Sequence, residues 1–484
     1  MFIVLLCSSA FASPAQEVFD QAKSYLETQY FGPSSVNMLE HTAKYQPVLD
    51  EACKEDKETC TFDKAEPVIA KMLFDLQDKH AYYISKADLA QRAANSTGNA
   101  ASPVARIGIT HQGFCNTPTG DCERDELGNI KSPQIYDRLI SNVVPGSPAE
   151  KVGLMYGDRW VGYNDILFSS ASDVKIATEQ RAAFTKIVQA QQPVTMKIIR
   201  GIDRQDLDIV VTGVIINTVN LPTMTLRSDG VGVLLIRDWL VQGLGVKIHG
   251  LVKQAIDKNA SAIVIDQRDN GGGYPSERAI AQGAFFEKSE NILRVPRYEA
   301  DKNTVVERYE NGVYAQLNLQ GTVLGSLKID NPVLFQGSVV MLVNKSCASA
   351  CEYFASAVQR AKRGSIIGEE TAGIGNTNTY PFALMNGGAA SMPTVRAFWA
   401  DGTPLPSSVK PDIETPNYEF NLFNTGIDQP LQKALESFNA KTSANVSSIT
   451  LLPLPDFTGS SIMDSVINSV SGNLEMVQQN PNLQ

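Results

Sequence analysis

The chain has 484 residues, a net charge of −10, 19% charged and 43% hydrophobic residues. This is ordinary globular composition with length for about three domains, each able to bury its own core. The acidic balance argues against nucleic acid or an anionic membrane as partners, and no apolar run of about eighteen residues predicts a membrane span.

In chain order, Met1 to Ala12 reads as the apolar region and cleavage site of a secretory signal, with Ala10-Phe11-Ala12 as the processing box and no Lys or Arg ahead of it. Removal of residues 1–12 takes Cys7 and leaves Cys53/Cys60, Cys115/Cys122 and Cys347/Cys351 as close pairs. Such pairs suit local disulfides in a secreted or periplasmic protein, although six cysteines also allow other pairings. Residues 13–100 read as a helical N-terminal region, with Ile69, Met72, Leu73 and Leu76 at helical spacing, and Ala94 to Ala101 as a linker. Around Val143 to Asp158, Gly146 and Pro148 turn the chain into a short helix, Gly153 ends it, and Gly157-Asp158 leads into a strand at Arg159 to Tyr163. His249 falls on a helix within Val246 to Ile256.

Ala262 to Asp266 predicts a buried strand running into Gln267-Arg268-Asp269-Asn270-Gly271-Gly272-Gly273. A second strand, Val339 to Val343, runs into Cys347-Ala348-Ser349-Ala350-Cys351-Glu352 and a helix through Ala361, and a third unit is Ser365 to Gly373. A serine in the first turn of a helix lies near the positive end of the helix dipole, beside unpaired backbone N–H groups, where a nucleophile and an oxyanion hole can be built. Serine is also a favoured helix cap, so Ser349 alone does not decide the matter. Three strand-to-turn units around one helix predict an α/β core with its active residues at the strand ends. After residue 440 the chain turns Ser/Asn/Gln-rich, and residues 441–484 are expected to form a poorly structured tail.

Asp266 to Gly273, Ser346 to Glu352 and Gly368 to Gly373 together resemble the signature blocks of the C-terminal processing, or tail-specific, serine peptidases, in the family's order across roughly residues 65 to 440. The resemblance implies an α/β, multidomain fold: a ClpP/crotonase-like α/β protease core over 216–440, with a PDZ β-module inserted at 101–215 behind the helical N-terminal region. Within the PDZ-like segment, Arg106-Ile107-Gly108-Ile109 resembles the loop and strand edge that receive a peptide C-terminus, with Ala177 to Ala190 as the helix across the groove. Binding there proceeds by strand addition, with the carboxylate held by backbone N–H groups; a purely structural β-module is the other reading.

Most members of the family activate serine with a lysine just after the Thr-x-Gly block. Here that position is Ile374, and the supporting glutamine falls on Asn378, so this dyad is absent. Leu76-Gln77-Asp78-Lys79-His80 resembles the Leu-x-Asp-x-His segment of the Ser-His branch, which includes the tricorn core and the chlamydial protease-like activity factor. The resemblance implies that His80 is the general base for Ser349, a role suited to a neutral imidazole at neutral pH; the plainer alternative is a helix-end histidine beside Asp78. The branch's glutamate falls on Leu405 or a neighbour, ahead of Pro406 to Asp412, where no acid stands, which leaves Asp401, Asp78 or a serine hydroxyl to orient the ring. Gly272 and Ala350 are the implied oxyanion-hole donors. The expected function is a serine endopeptidase cutting unfolded or extended polypeptide through an acyl-enzyme, with peptide C-termini bound at the module and no metal or cofactor. A weak or inactive peptide-binding member, and a carrier of small hydrophobic ligands on the same core, are the alternatives.

Overall fold

The computed structural model describes residues 12–90, 104–115, 117–123, 134–170, 174–216, 220–440 and 447–451. Strand Ala262–Asp266 is buried at every position. It lies at the centre of a sheet ordered Ile413–Glu414, Ser365–Gly368, Ser338–Val343, Ala262–Asp266, Val231–Leu235, Thr223–Arg227 and Ser448–Leu451. The first five strands are parallel, and the last two join antiparallel. A continuous apolar run marks a strand covered on both faces. Ile263 and Ile265 with Val339, Met341 and Val343 pack on helices Leu244–Asp257 and Ala350–Arg360, whereas Val264, Val340 and Leu342 meet Ala434 and Leu435 of helix Gln429–Ser437. His249 lies on the Leu244–Asp257 helix as expected, fully buried, with its ring against the Ile280 carbonyl.

The parallel register aligns Asp266 with Leu342 and Val343 with Gly368. The turns that follow these strands therefore emerge along one edge of the sheet, the edge at which α/β folds build sites.

A second, antiparallel sheet runs Tyr82–Ile84, Ala389–Trp399, Ile292–Pro296, Val305–Glu310, Val313–Leu317 and Val323–Lys328, with Thr377–Ala383 also paired to Ala389–Trp399. Helices Pro14–Gln29 and Phe62–Phe74 bury Val18, Phe19, Leu26, Ile69, Met72 and Leu73 against Ala390 and Met392 of that sheet and against Leu384, just past strand Thr377–Ala383. The N-terminal region thus shares a core with the second sheet, and it is not helical throughout, because Tyr82–Ile84 pairs with Ala389–Trp399.

The expectation of a poorly structured tail needs a similar correction at one point. Ser448–Leu451 pairs with Thr223–Arg227, since an open sheet edge offers main-chain partners to any extended segment and asks for no apolar periodicity. The remainder of that tail, the signal-like residues 1–11 and the linker-like stretch within 91–103 lie outside the described residues.

The inserted module is a sheet ordered Ile109–Cys115, Gln134–Val143, Arg159–Tyr163, Pro193–Arg200 and Gln205–Thr212. Helix Val174–Gln189 closes it, with Phe184 and Val188 on Trp160, Tyr163 and Met196. The short helix is Pro148–Lys151, ended where Gly153 takes φ +80°. Cys53–Cys60, Cys115–Cys122 and Cys347–Cys351 are all bonded, with Cα atoms 5.6, 5.0 and 5.4 Å apart.

Candidate active site

The site begins where strand Ser338–Val343 ends. Asn344 is fully buried; its side-chain oxygen accepts from Asp269 N (2.9 Å) and Ser346 N (3.2 Å), and its amide donates to Asp269 Oδ1 (2.8 Å). Ala348 N donates to Asn270 O (3.0 Å), so the turn carrying Ser349 is laced to the glycine turn after Ala262–Asp266. Ser349 itself has φ +54° and ψ −117°, a backbone state that costs a non-glycine residue roughly 1–3 kcal/mol and persists only where neighbours enforce it.

Glu352 is one such neighbour. Its buried carboxylate accepts from Ser349 N (2.8 Å), Thr371 Oγ1 (2.7 Å), Gly373 N (2.7 Å) and Ile374 N (3.1 Å). Burial pushes this carboxyl up, and the same hydrogen bonds pull against that shift. Sequence reading gave Glu352 no role, although its spacing from Ser349 is that of a capping box, which was the available signal. The disulfide Cys347–Cys351 closes a small ring around the same turn.

Gly272 approaches Ser349 closely, but not as expected. Its N–H donates to Asn270 Oδ1 (2.9 Å) and is therefore occupied rather than aimed at a substrate oxygen. What Gly272 supplies is room: at φ +92°, an added Cβ would lie 2.7 Å from Ala348 O and 2.8 Å from Ser349 Cβ. Ala350 opens helix Ala350–Arg360, so its N–H has no acceptor within that helix and remains a candidate oxyanion donor.

His80 comes from the N-terminal region. Lys79 Nζ donates to Ala372 O, which seats this segment on the loop that Glu352 holds. The His80 main-chain N–H donates to Asp78 Oδ1 (2.9 Å), and Asp78 Oδ2 accepts from the Tyr30 hydroxyl (2.9 Å). The ring Nδ1 lies 2.6 Å from Thr377 Oγ1, at the start of strand Thr377–Ala383, and both residues are buried. Burial lowers the His80 pKa below the ordinary histidine value, with the Asp78 charge opposing, so the ring is neutral at neutral pH.

Of the groups expected to orient the ring, none does so directly. Asp401 is exposed and engaged by Arg360 (2.8 Å) and Thr403 Oγ1 (2.6 Å), Asp78 holds main chain, and Leu405 is buried beside Tyr353 and Trp399. Thr377 takes that place, and no sequence pattern marked it. Among the described residues no group of His, Cys, Asp and Glu side chains is arranged to hold a metal ion.

Arg106, Ile107, Gly108 and Ile109 lie away from this cluster, in the inserted module. They line a groove of about 480 Å³ between strand Ile109–Cys115 and helix Val174–Gln189, which also contributes Phe184 and Val188. Ile109–Cys115 is the end strand of its sheet, with one edge paired to Gln134–Val143 and the other toward the groove.

Residues 230–415 match the family model described as peptidase family S41, a span that contains Gly272, Ser349, Glu352 and Thr377 but not His80. The chain is 23% identical over 284 residues to the carboxy-terminal processing protease CtpA of Bacillus subtilis (strain 168), covering 58% of this chain and 54% of that one. It is 26% identical over 302 residues to the carboxy-terminal-processing protease of Bartonella bacilliformis, covering 60% and 62%. The matches therefore span little more than half the length of these relatives. A solved structure assigned to the S41 proteases, from Bacteroides fragilis NCTC 9343, superposes with a TM-score of 0.51 at 14% identity over 87% of this chain and 97% of that one, and shares the mixed α/β fold. The chain resembles the carboxy-terminal processing serine peptidases of family S41.

Two consequences follow for the turn around Ser349. Gly272→Ala is expected to abolish labelling of Ser349 by a fluorophosphonate, since the new methyl meets main chain and the Ser349 Cβ, while circular dichroism stays unchanged; retained labelling contradicts the close approach. Replacing both Cys347 and Cys351 by alanine removes a five-residue ring whose entropic contribution is only about 2 kcal/mol. Turnover is expected to fall more than about tenfold with a melting-temperature drop of only a few degrees, because the ring fixes the reacting turn more than it restrains the unfolded chain. Unchanged turnover would refute this role.

Proposed function

We propose that this chain is a serine endopeptidase that hydrolyses extended polypeptide through an acyl-enzyme on Ser349, with His80 as general base. The observation that carries the reading is the 2.6 Å contact between His80 Nδ1 and Thr377 Oγ1, together with the seating of the neighbouring Lys79 on Ala372 of the loop that Glu352 fastens to the main chain of Ser349. With Nδ1–H donating to the threonine, Nε2 carries the free lone pair and accepts the Ser349 proton as Oγ attacks the substrate carbonyl. The oxyanion is received by the Ala350 N–H, and the imidazolium returns its proton to the leaving amine. Water then repeats the sequence on the acyl-enzyme.

A threonine hydroxyl can accept from Nδ1–H but brings no negative charge to the imidazolium, and the Asp78 charge is what raises the His80 pKa against the effect of burial. That same feature favours, as a second reading, a slow or inactive member that binds peptides without cutting them efficiently. In both readings the inserted module binds peptide C-termini at Arg106 to Ile109, and the signal-like N-terminus and disulfides support an extracytoplasmic site of action.

Labelling with a fluorophosphonate, lost in Ser349→Ala, separates the two readings when combined with turnover on an unfolded substrate. His80→Ala is expected to lower kcat about a hundredfold or more, while Ile374→Ala, which keeps the main-chain bond to Glu352, leaves it nearly unchanged; wild-type turnover in the His80 variant would eliminate the Ser-His mechanism.

The pH dependence has a definite sign. Burial disfavours the imidazolium, so more acid is needed to protonate the base, and the acid limb of kcat/KM is expected below the ordinary histidine value of 6.5. A limb at or above that value would show that another group sets it.

A further inference from the structure

The groove of the inserted module has two chemically different ends. Cross-strand register places Gly113 opposite Arg138 and Arg138 opposite Trp160. Residues directly opposite on neighbouring strands share a face of the sheet, so Arg138 lies on the face that Phe184 covers, with the Trp160 and Phe184 rings 4.7 Å apart. His111 is on this face too, its ring 5.3 Å from Trp160, and Arg181 reaches the same opening from helix Val174–Gln189. Gly113 leaves space that the Arg138 guanidinium occupies, since a Cβ there would lie 2.6 Å from Nη1. The end near Arg106 to Ile109 is instead walled by Ile107, Val144 and Val188.

Among the described residues the cationic end is short of anions, and no Asp or Glu lines the groove. Arg138 Nε is buried without a hydrogen-bond partner, and Arg181 is bonded to the neutral Thr178 hydroxyl (3.2 Å). Burial and the facing Arg181 bring Arg138 down to about 10, and burial with both arginines brings His111 down to about 4. At neutral pH, therefore, His111 is uncharged, and the partly buried Arg138 guanidinium, set behind His111 and Trp160, is repelled by Arg181, which lines the groove, an arrangement that an anion bound beside them relieves.

We propose that this groove takes a peptide whose free C-terminus lies at Arg106 to Ile109 and which carries an acidic side chain, Asp or Glu, a few residues upstream, received by Arg138 and Arg181. The proposal rests on the reading of the module as a binder of peptide C-termini and adds the charge of the ligand. A peptide added antiparallel to Ile109–Cys115 advances about 3.3 Å per residue with alternate side chains toward the helix. With its last residue at the apolar end, the side chains roughly two and four positions upstream face His111 and the Gly113/Arg138 position. Arginine suits this task because its planar fork binds a carboxylate through paired N–H groups.

The test is calorimetry on the full chain carrying Ser349→Ala, so that ligands are not cut. The probes are one peptide sequence with Glu, Ala or Lys at the second and fourth positions from the end, each with a free or an amidated C-terminus. The Glu peptide is expected to bind at least about tenfold more tightly than the Ala peptide, and the Lys peptide more weakly than both, with the spread shrinking as salt is raised. Arg181→Glu is expected to reverse the order. Equal affinity for the three free-carboxylate peptides overturns the acidic preference and leaves C-terminus binding intact. Equal affinity for free and amidated forms, or binding of none, removes the C-terminus reading and this proposal with it.

Discussion

The buried carboxylate of Glu352 is the constraint on which the site depends. A helix that begins inside a protein leaves N–H groups without acceptors, and a carboxylate taken from water needs donors. Here each requirement answers the other, because Ser349 N, Gly373 N, Ile374 N and the Thr371 hydroxyl all donate to Glu352. The result holds Ser349 in a backbone state it would otherwise leave, and it fixes the following loop as a platform. The segment carrying His80 is seated on that platform through Lys79, which donates to Ala372 O, while the His80 ring is held at Thr377.

Arg268 and Arg138 differ in how their charge is compensated. Arg268 is buried and held by Asp266 (2.7 Å) and Asp428 (2.8 Å), with its guanidinium over the rings of Tyr156 and Tyr418. Asp266 ends the central strand and Tyr156 belongs to the inserted module, so this fully paired cation joins the parallel sheet to the module. The contact is reinforced where Phe114 and Leu139 of the module pack on Leu422 and Phe423, and Arg159 lies 4.2 Å over the Phe423 ring. A buried ion pair of this kind favours one arrangement over others more than it adds stability, because desolvation offsets most of the attraction. Arg138, by contrast, is buried in part with no carboxylate beside it among the described residues, which is why its environment points to a ligand rather than to structure.

Much of this was legible in the chain itself. The apolar runs at Ala262 to Asp266 and Val339 to Val343, each followed by a turn of glycine or small residues, determined a parallel core and the edge at which its site forms, since a strand apolar on both faces has to be covered on both. The Leu-x-Asp-x-His segment singled out His80, and the substitution at Ile374 removed the usual base, because both are matters of side-chain chemistry at a fixed place in the chain. The close cysteine spacings likewise announced three local bridges.

Other features were decided only when distant segments met. Thr377 became the partner of His80 across 297 positions of sequence, and an isolated threonine at a strand start carries no local signature of such a contact. Whether the Gly272 amide was free depended on the rotamer of Asn270, and whether Ser448–Leu451 was structured depended on an open edge at Thr223–Arg227. The cationic end of the module groove arose from the register that sets Arg138 between Gly113 and Trp160. Sequence determined which groups were present and which segments had to be buried, because hydrophobic pattern and side-chain chemistry are local properties. Tertiary structure decided which groups share a proton, a hydrogen bond or an unpaired charge, because those depend on distances of a few ångströms between residues that the chain order keeps far apart.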